Sequence, residues 1–334
     1  MQIKKENKKI IKEAVKIIRR GGLIAFPTET VYGLGANALD KKAVKKIFKA
    51  KGRPSDNPLI VHIADFTELF RLVKKIPKIT EILAKKFWPG PLTLIFLKKK
   101  IVPNKVTAGG NTVAIRIPKN KTALKLIKDS GFPIAAPSAN LSGRPSPTTA
   151  QHVFEDLGEK IDLIIDGGKT DIGVESTVVD LTVNPPQILR PGGISFEELK
   201  KIIPNIYFHS SLLGEKLKNN EKVKSPGIKY RHYAPKAPLI LSNSKKIIQK
   251  LIKKYQKENK VVGVLSSLET KKFYQNADLV LVSGSRKNLK QIAQNLFKTL
   301  REFDKNKVNI IISETFPKKG IGLAIMDRLE RAAH

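Results

Sequence analysis

The chain of 334 residues contains no cysteine. That excludes a disulfide framework, a thiol nucleophile and any cysteine-ligated metal site. The five histidines are scattered and show no metal-ligand spacing such as H-E-x-x-H, so no metal ligands are assigned. No apolar run reaches the roughly 18 residues of a membrane span. The N-terminal Met-Gln-Ile-Lys-Lys-Glu has charge but no apolar core. A soluble cytoplasmic protein without membrane contact is the expectation.

Acidic residues are also scarce: 29 stand against 63 basic ones, for a net charge of +34. The basic set is 51 Lys and 12 Arg, spread over nearly every expected helix. Base readout favours Arg, and the RNP-type aromatic signature is absent. Diffuse solvated lysine is therefore preferred over a dedicated nucleic-acid groove, with a weak RNA or tRNA contact as the lesser expectation. Either way the field assists an anionic substrate.

The common nucleotide fingerprints fail as well. Gly168-Lys169-Thr170 ends like a Walker A loop, but Leu163 stands where its first glycine is required. Gly33-Leu-Gly35-Ala-Asn-Ala38 fits a relaxed dinucleotide pattern, yet six residues separate it from the strand at 22–26.

What is present is alternation of short apolar strands with helices. Residues 5–20 repeat apolar positions at helical spacing and stop at Gly21-Gly22. Strands are expected at 22–26, 59–63, 92–97, 112–117, 133–137, 162–165, 176–182 and 187–190. Helices are expected to begin near Asp40, Asp65, Ile79, Asn120 and Thr148, and a capping box, Ser195-x-x-Glu198, opens another. Strands in close succession after 160 argue for a mixed sheet. Residues 204–237 read as a linker, although Tyr230-Arg231-His232-Tyr233 is more than a passive tether requires. From 238 to 334 strands and helices alternate as parallel units of a small open sheet. A core of this size is well within reach of 41% hydrophobic content.

Two segments carry the chemistry. Lys51-Gly-Arg53-Pro54 offers a basic pair expected to lie in a loop, since Pro54 keeps Arg53 out of the helical region. Ser138-Ala139-Asn140 follows the apolar Pro133-Ile-Ala-Ala and offers small hydrogen-bonding groups. Together they suit a polyanion joined to a base or sugar. In the apolar strand Val113-Ala-Ile-Arg116-Ile, Arg116 must be partly buried and needs a partner. That partner is an internal carboxylate or, by a two-pronged grip, a ligand's carboxylate or phosphate. His62 in Leu-Ile-Val-His-Ile reads alone as a core histidine. Glu-Ser176-Thr-Val-Val-Asp and Arg190-Pro-Gly set a hydroxyl and an Arg near strand ends.

These runs, with Phe26-Pro-Thr-Glu-Thr30-Val-Tyr-Gly, Trp88-Pro-Gly-Pro-Leu-Thr and Arg116-Ile-Pro, strongly resemble the YrdC-like domain. With Ser225-Pro-Gly-Ile-Lys-Tyr-Arg-His-Tyr-Ala-Pro235 behind them, the chain resembles the two-domain threonylcarbamoyl-AMP synthases; Ile228 is a conservative departure from the Met of that motif. The resemblance spans roughly residues 10–237. It implies an α/β fold: a YrdC-like mixed twisted sheet over 1–203, a linker or flap over 204–237, and a Rossmann-like open-sheet domain over 238–334. It implies a nucleotidyltransferase that makes threonylcarbamoyl-AMP and pyrophosphate from L-threonine, bicarbonate and ATP. The product would pass to the machinery that forms threonylcarbamoyl-adenosine in tRNA. The alternative from another class is a non-catalytic RNA-binding protein using the basic sheet.

Carried over by position, the resemblance implies a threonine pocket of Thr30, His62, Arg116, Ala136 and Ser176. It implies ATP contacts from Lys51, Arg53, Asn57, Thr112, Ser138, Asn140, Ser146, Arg190, Tyr230 and Arg231. Lys51, Arg53, Ser138 and Asn140 are the expected catalytic group. Mg²⁺ is expected with ATP, held through the phosphates.

Overall fold

In the computed structural model, which describes residues 3–212, 223–226 and 232–333, the chain builds two sheets. The first contains β1 (Ile3–Lys5), β2 (Ile24–Phe26), β3 (Gly33–Asn37), β4 (Ile60–His62), β5 (Leu92–Leu97), β6 (Thr112–Arg116), β7 (Ile134–Ala135), β8 (Leu163–Asp166), β9 (Thr177–Asp180), β10 (Gln187–Arg190) and β11 (Tyr207–Phe208). Their spatial order is β1-β8-β2-β3-β7-β4-β6-β5-β9-β10-β11, with parallel and antiparallel neighbours mixed. The expected mixed sheet is therefore found.

Among the described residues seven α-helices accompany these strands: α1 (Lys8–Arg19), α2 (Lys41–Lys51), α3 (Leu69–Leu72), α4 (Ile79–Phe87), α5 (Lys121–Ser130), α6 (Ala150–Leu157) and α7 (Phe196–Lys200). Their starts follow the caps read in the sequence. Asp40 accepts from the Lys42 amide and Asn120 from the Ala123 amide, while Ser195 and Glu198 form a full capping box. α1 begins later than expected because Asn7 caps it, accepting from the Ile10 amide at 3.0 Å. The buried faces of α1 and α5 share one apolar cluster with Phe26, Ile134 and Leu163, and α2, α4 and α6 share a larger one with the other face of the sheet. Each fully buried Ile or Leu contributes roughly 1.5–3 kcal/mol.

Three strands of the first sheet were not expected: β1, which pairs with β8, β3 and β11. β3 carries Gly33 and Gly35, which weaken any strand signal. Here the glycine is required by close approach: a Cβ on Gly35 would lie 2.7 Å from the Phe26 ring and 2.9 Å from Ile134. β11 falls inside the stretch read as linker, so the first sheet runs five residues past the expected boundary at 203, where Gln187 and Ile188 pair with Tyr207 and Phe208.

The second sheet is entirely parallel. Its strands β12 (Leu239–Ser242), β13 (Val262–Ser267), β14 (Leu279–Gly284) and β15 (Ile310–Glu314) lie in the order β12-β15-β13-β14. α8 (Lys245–Lys257), α9 (Leu289–Lys305) and α10 (Gly322–Ala333) connect or follow them. Val31 and Val174, which precede the expected linker, join the apolar core of α9 and α10. Among the described residues no helix is long and apolar enough to cross a membrane.

Candidate active site

Period-two alternation explains how one face of the first sheet holds both a floor and a site. Ile60, Ile95, Ala114 and Val178 form a small apolar cluster. The residues two positions away, His62, Thr93, Arg116 and Ser176, share that face and are polar. Parallel pairing of β4 with β6 sets His62 directly beside Arg116. A narrow cavity of about 60 Å³ opens over them.

All five residues expected for threonine line this cavity: Thr30, His62, Arg116, Ala136 and Ser176. Arg116 is buried. Its Nε donates to the Gly90 carbonyl at 3.1 Å and Nη1 to the Thr30 hydroxyl at 2.9 Å. Its Nη2 lies 2.7 Å from Glu29 Oε1, so an internal carboxylate partner is present. The angle is poor, however, and neither of those two atoms has an aligned hydrogen bond. His62 Nδ1 is buried without an aligned partner too. Burial and then the nearby Arg116 charge push the His62 pKa down to about 3, so the ring is neutral. Ser176 shares a 2.7 Å hydrogen bond with Thr93 and accepts from Arg190.

The two segments 87 residues apart meet. Lys51 Nζ donates to the Ser138 and Asn140 carbonyls, each at 2.5 Å. Ser138 donates to Asn140 Oδ1 at 2.6 Å, and Asn140 Nδ2 reaches the Leu141 and Arg144 carbonyls at 2.8 Å. One member of the basic pair departs from the loop expected for it. Lys51 is the last residue of α2, which Gly52 ends in the left-handed conformation at φ 61°, and only Arg53 lies beyond the helix. The proline effect reaches one residue back and leaves Lys51 helical. Burial, then the Arg53 charge, holds the Lys51 ammonium well below its ordinary pKa. Arg53 is gripped by the Asn57 carbonyl at 3.1 Å, Asn57 Oδ1 at 2.6 Å and the Pro58 carbonyl at 2.8 Å. Burial brings its pKa to about 10. Arg190 donates from Nε and Nη2 to the Ser176 carbonyl.

Lys51, Arg53, Ser138, Asn140 and Arg190 line the cavity; Asn57, Thr112 and Ser146 do not. Asn57 instead holds Arg53. Thr112 opens β6 opposite Leu97, four residues and about 13 Å of strand from Arg116. Ser146 is buried and donates to Glu175 Oε1 at 2.5 Å. Tyr230 and Arg231 lie outside the described residues.

Sequence reasoning missed Glu29, Glu175 and Arg328, and singled out His232 only within the run Tyr230-Arg231-His232-Tyr233. Glu175 lines the cavity, and burial alone would raise its pKa, but Arg328, then Arg190 and the Ser146 hydroxyl hold it low. Arg328, from α10, is fully buried, with Nε 2.7 Å from Glu175 Oε2 and Nη2 donating to the Pro191 carbonyl at 3.0 Å. Its guanidinium lies 5.0 Å from the centre of the Tyr233 ring, which stacks on Phe297 at 5.4 Å. Pro226, His232 and Tyr233 also line the cavity. Glu29 and Glu175 sit beside Thr30 and Ser176 in the motifs themselves, so their neighbours were the available signal. Arg328 had none, since only general architecture was readable there. Among the described residues no cluster of three or more His, Cys, Asp or Glu gathers to hold a metal ion.

This geometry agrees with what the chain is similar to. The family profile described as "Telomere recombination" (Sua5, YciO, YrdC) matches residues 16–192, and "Threonylcarbamoyl-AMP synthase, C-terminal domain" matches residues 194–334. A threonylcarbamoyl-AMP synthase of Pyrococcus abyssi is 53% identical over 328 residues, covering 97% of this chain and 94% of the relative.

The chain belongs to the threonylcarbamoyl-AMP synthase family.

A Bacillus subtilis threonylcarbamoyl-AMP synthase is also 53% identical, over 97% of this chain and 92% of its own. The crystal structure of P. abyssi Sua5 complexed with L-threonine superposes with a TM-score of 0.93 at 51% identity, covering 99% of this chain and 96% of that one. The chain is thus an enzyme of the nucleotidyltransferase type, and its fold is the two-domain fold of this family. Nothing in these similarities favours the RNA-binding alternative.

Proposed function

We propose that the cavity joins L-threonine, bicarbonate and ATP into threonylcarbamoyl-AMP and pyrophosphate, with one half for the amino acid and the other for the nucleotide. The single observation that carries this division is the buried Arg116, whose Nη2 lacks an aligned hydrogen bond beside a His62 whose Nδ1 lacks one too. A carboxylate entering there would complete both. That a P. abyssi relative is known complexed with L-threonine supports the same assignment.

In this reading the threonine amine and bicarbonate form a carbamate and water. A carbamate oxygen then attacks the α-phosphorus, and the bond to pyrophosphate breaks. No protein nucleophile is required, because such a transfer depends on positioning and on stabilising developing charge. Arg53 and Arg190 supply charge toward the phosphates, Lys51 fixes the Ser138–Asn140 backbone against which the nucleotide lies, and Thr30, Ala136 and Ser176 complete the amino-acid half. Mg²⁺ enters as part of the substrate on the ATP phosphates, which suits an ion that keeps most of its waters and takes few protein ligands. The product would serve threonylcarbamoyl transfer to tRNA in the cytoplasm.

The linker acts in this reading as a flap. His232 lies 3.5 Å from Asn57 Nδ2, and with Pro226 and Tyr233 it narrows the cavity far below the 300–1,000 Å³ usual for ligand pockets. Admitting ATP therefore requires this segment to move, after which it shields hydrolysable intermediates from water.

The test is pyrophosphate release from ATP and bicarbonate with and without L-threonine. Release that requires threonine, with threonylcarbamoyl-AMP found by mass, is the expected result. Absence of release, or equal release without threonine, would overturn the reading.

A further inference from the structure

The reaction uses nothing from the far end of the second sheet, yet that end is built as a site. β12 and β15 are neighbours, but the helices that follow them lie on opposite faces. α8 packs with Val264, Tyr274 and Ile312, whereas α10 packs with α9, Leu265 and Ile311. Such a switch point opens a crevice outside the carboxyl ends of the strands, where open sheets bind ligands. Residues following all four strands converge on it and enclose a cavity of about 290 Å³.

Its walls are already ordered. Glu314, buried at the end of β15, accepts from the Ser267 amide at 2.9 Å, the Ser267 hydroxyl at 3.0 Å, Thr270 at 2.8 Å and Tyr274 at 2.9 Å. Arg286 stands 3.5 Å from the same carboxylate, donates to the Thr315 carbonyl at 3.0 Å and lies 5.3 Å from the Phe316 ring centre. Glu269 accepts from the Ser285 hydroxyl at 2.5 Å and the Arg286 amide at 3.0 Å, which hold its carboxyl at about 2 and keep it charged. Lys245 completes the rim, its Nζ 3.9 Å from the Phe273 ring centre. In a chain with more than twice as many cations as anions, this cleft is balanced: two cations face it and two carboxylates. The carboxylates repel a polyphosphate, while the mixed charge suits a ligand bearing both signs. The small volume limits its size.

We propose that this cleft is a second binding site, separate from the catalytic cavity, for a small zwitterion of the amino-acid class. The ligand carboxylate meets Lys245 and Arg286, and its ammonium meets Glu269 at the rim. Glu314 is the fixed floor that orients Arg286.

The test uses the full chain carrying Arg116→Lys, which weakens the carboxylate contact of the catalytic cavity. The twenty L-amino acids, inorganic phosphate and AMP are screened singly by thermal shift, and stabilising compounds are measured by calorimetry. The expected result is that at least one amino acid binds, that Glu269→Gln and Lys245→Ala each weaken it about tenfold or more, and that Asn243→Trp, which plugs the mouth, abolishes it. Both Glu269 and Lys245 are exposed, so the fold should be retained without ligand, Glu269→Gln giving up only surface contacts to Ser285 and the Arg286 amide. Three results would overturn the proposal: no amino acid binds, Asn243→Trp abolishes binding of phosphate or AMP instead, or amino-acid binding persists unaltered in Asn243→Trp.

Discussion

The two halves proposed for the catalytic cavity handle buried positive charge in opposite ways. In the amino-acid half, Arg116 has a carboxylate, Glu29, 2.7 Å away. In the phosphate half, the hydrogen bonds of Lys51, Arg53 and Arg190 go to carbonyl, amide and hydroxyl oxygens. A neutral acceptor satisfies a donor without cancelling its charge. The phosphate half therefore keeps a positive potential for a polyanion, while the other half offers one geometrically defined site for one carboxylate. The single acid lining the cavity among the described residues, Glu175, is answered from the second domain by Arg328.

Arg328→Met should have the largest effect. It leaves Glu175 buried with its principal partner gone, at a cost of about 3–5 kcal/mol in stability, and it adds negative potential where phosphates bind. Denaturant unfolding and the ATP Michaelis constant both report it. Adding Glu175→Gln should restore ATP use in part; no restoration would mean that the charge balance is not what matters.

Lys51→Met should lower turnover about 10²–10³-fold. It should also destabilise the fold by about 1–3 kcal/mol, because buried carbonyls at Ser138 and Asn140 lose their donor. That stability loss departs from the sequence reading, in which Lys51 served only the phosphates. A variant with full stability and lost turnover would return Lys51 to that simpler role.

Acid should weaken both halves together. His62 and His232 are each held near 3 by burial, and then by Arg116 in the first case and Arg53 in the second. Between their folded values and about 6.5 the unfolded chain binds more protons, so stability rises with pH across that window. Their contribution is present above about 6.5 and is lost as pH falls, on the order of 2 kcal/mol per histidine by pH 5. Chemical denaturation at pH 8 and pH 5 measures it, and equal stability at both would place these rings in a wetter environment.

The smallest effect belongs to Glu29→Gln. Removing the competing carboxylate should lower the threonine Michaelis constant by up to about tenfold and leave that of ATP unaltered. A higher threonine constant would make Glu29 a substrate contact and not a competitor.

Much of this was legible in the chain. Caps at Asp40, Asn120 and Ser195 are local signals, and each opened a helix where it stood. The alternation that buries Arg116 is local as well. β3 was not legible, because what makes it a strand is the space left by Phe26 and Ile134 for Gly35, a tertiary fact. β11 is two residues long and exists only through its partner. Of the cavity, lining residues in dense motifs were legible, including the five expected for threonine. Thr112, expected at the nucleotide, stands four residues along β6 from Arg116 and does not line the cavity. Arg328 could not be found from sequence: it reaches Glu175 across 153 residues and a domain boundary.

The division of the cavity is tested most directly by measuring threonine and ATP Michaelis constants side by side in Arg116→Lys and Arg53→Lys. A lysine keeps each charge and loses the two-pronged geometry. The account predicts that Arg116→Lys raises the threonine constant by about thirtyfold or more with ATP nearly unchanged, and that Arg53→Lys does the reverse. Equal losses for both substrates in both variants, or an unchanged threonine constant in Arg116→Lys, would contradict it.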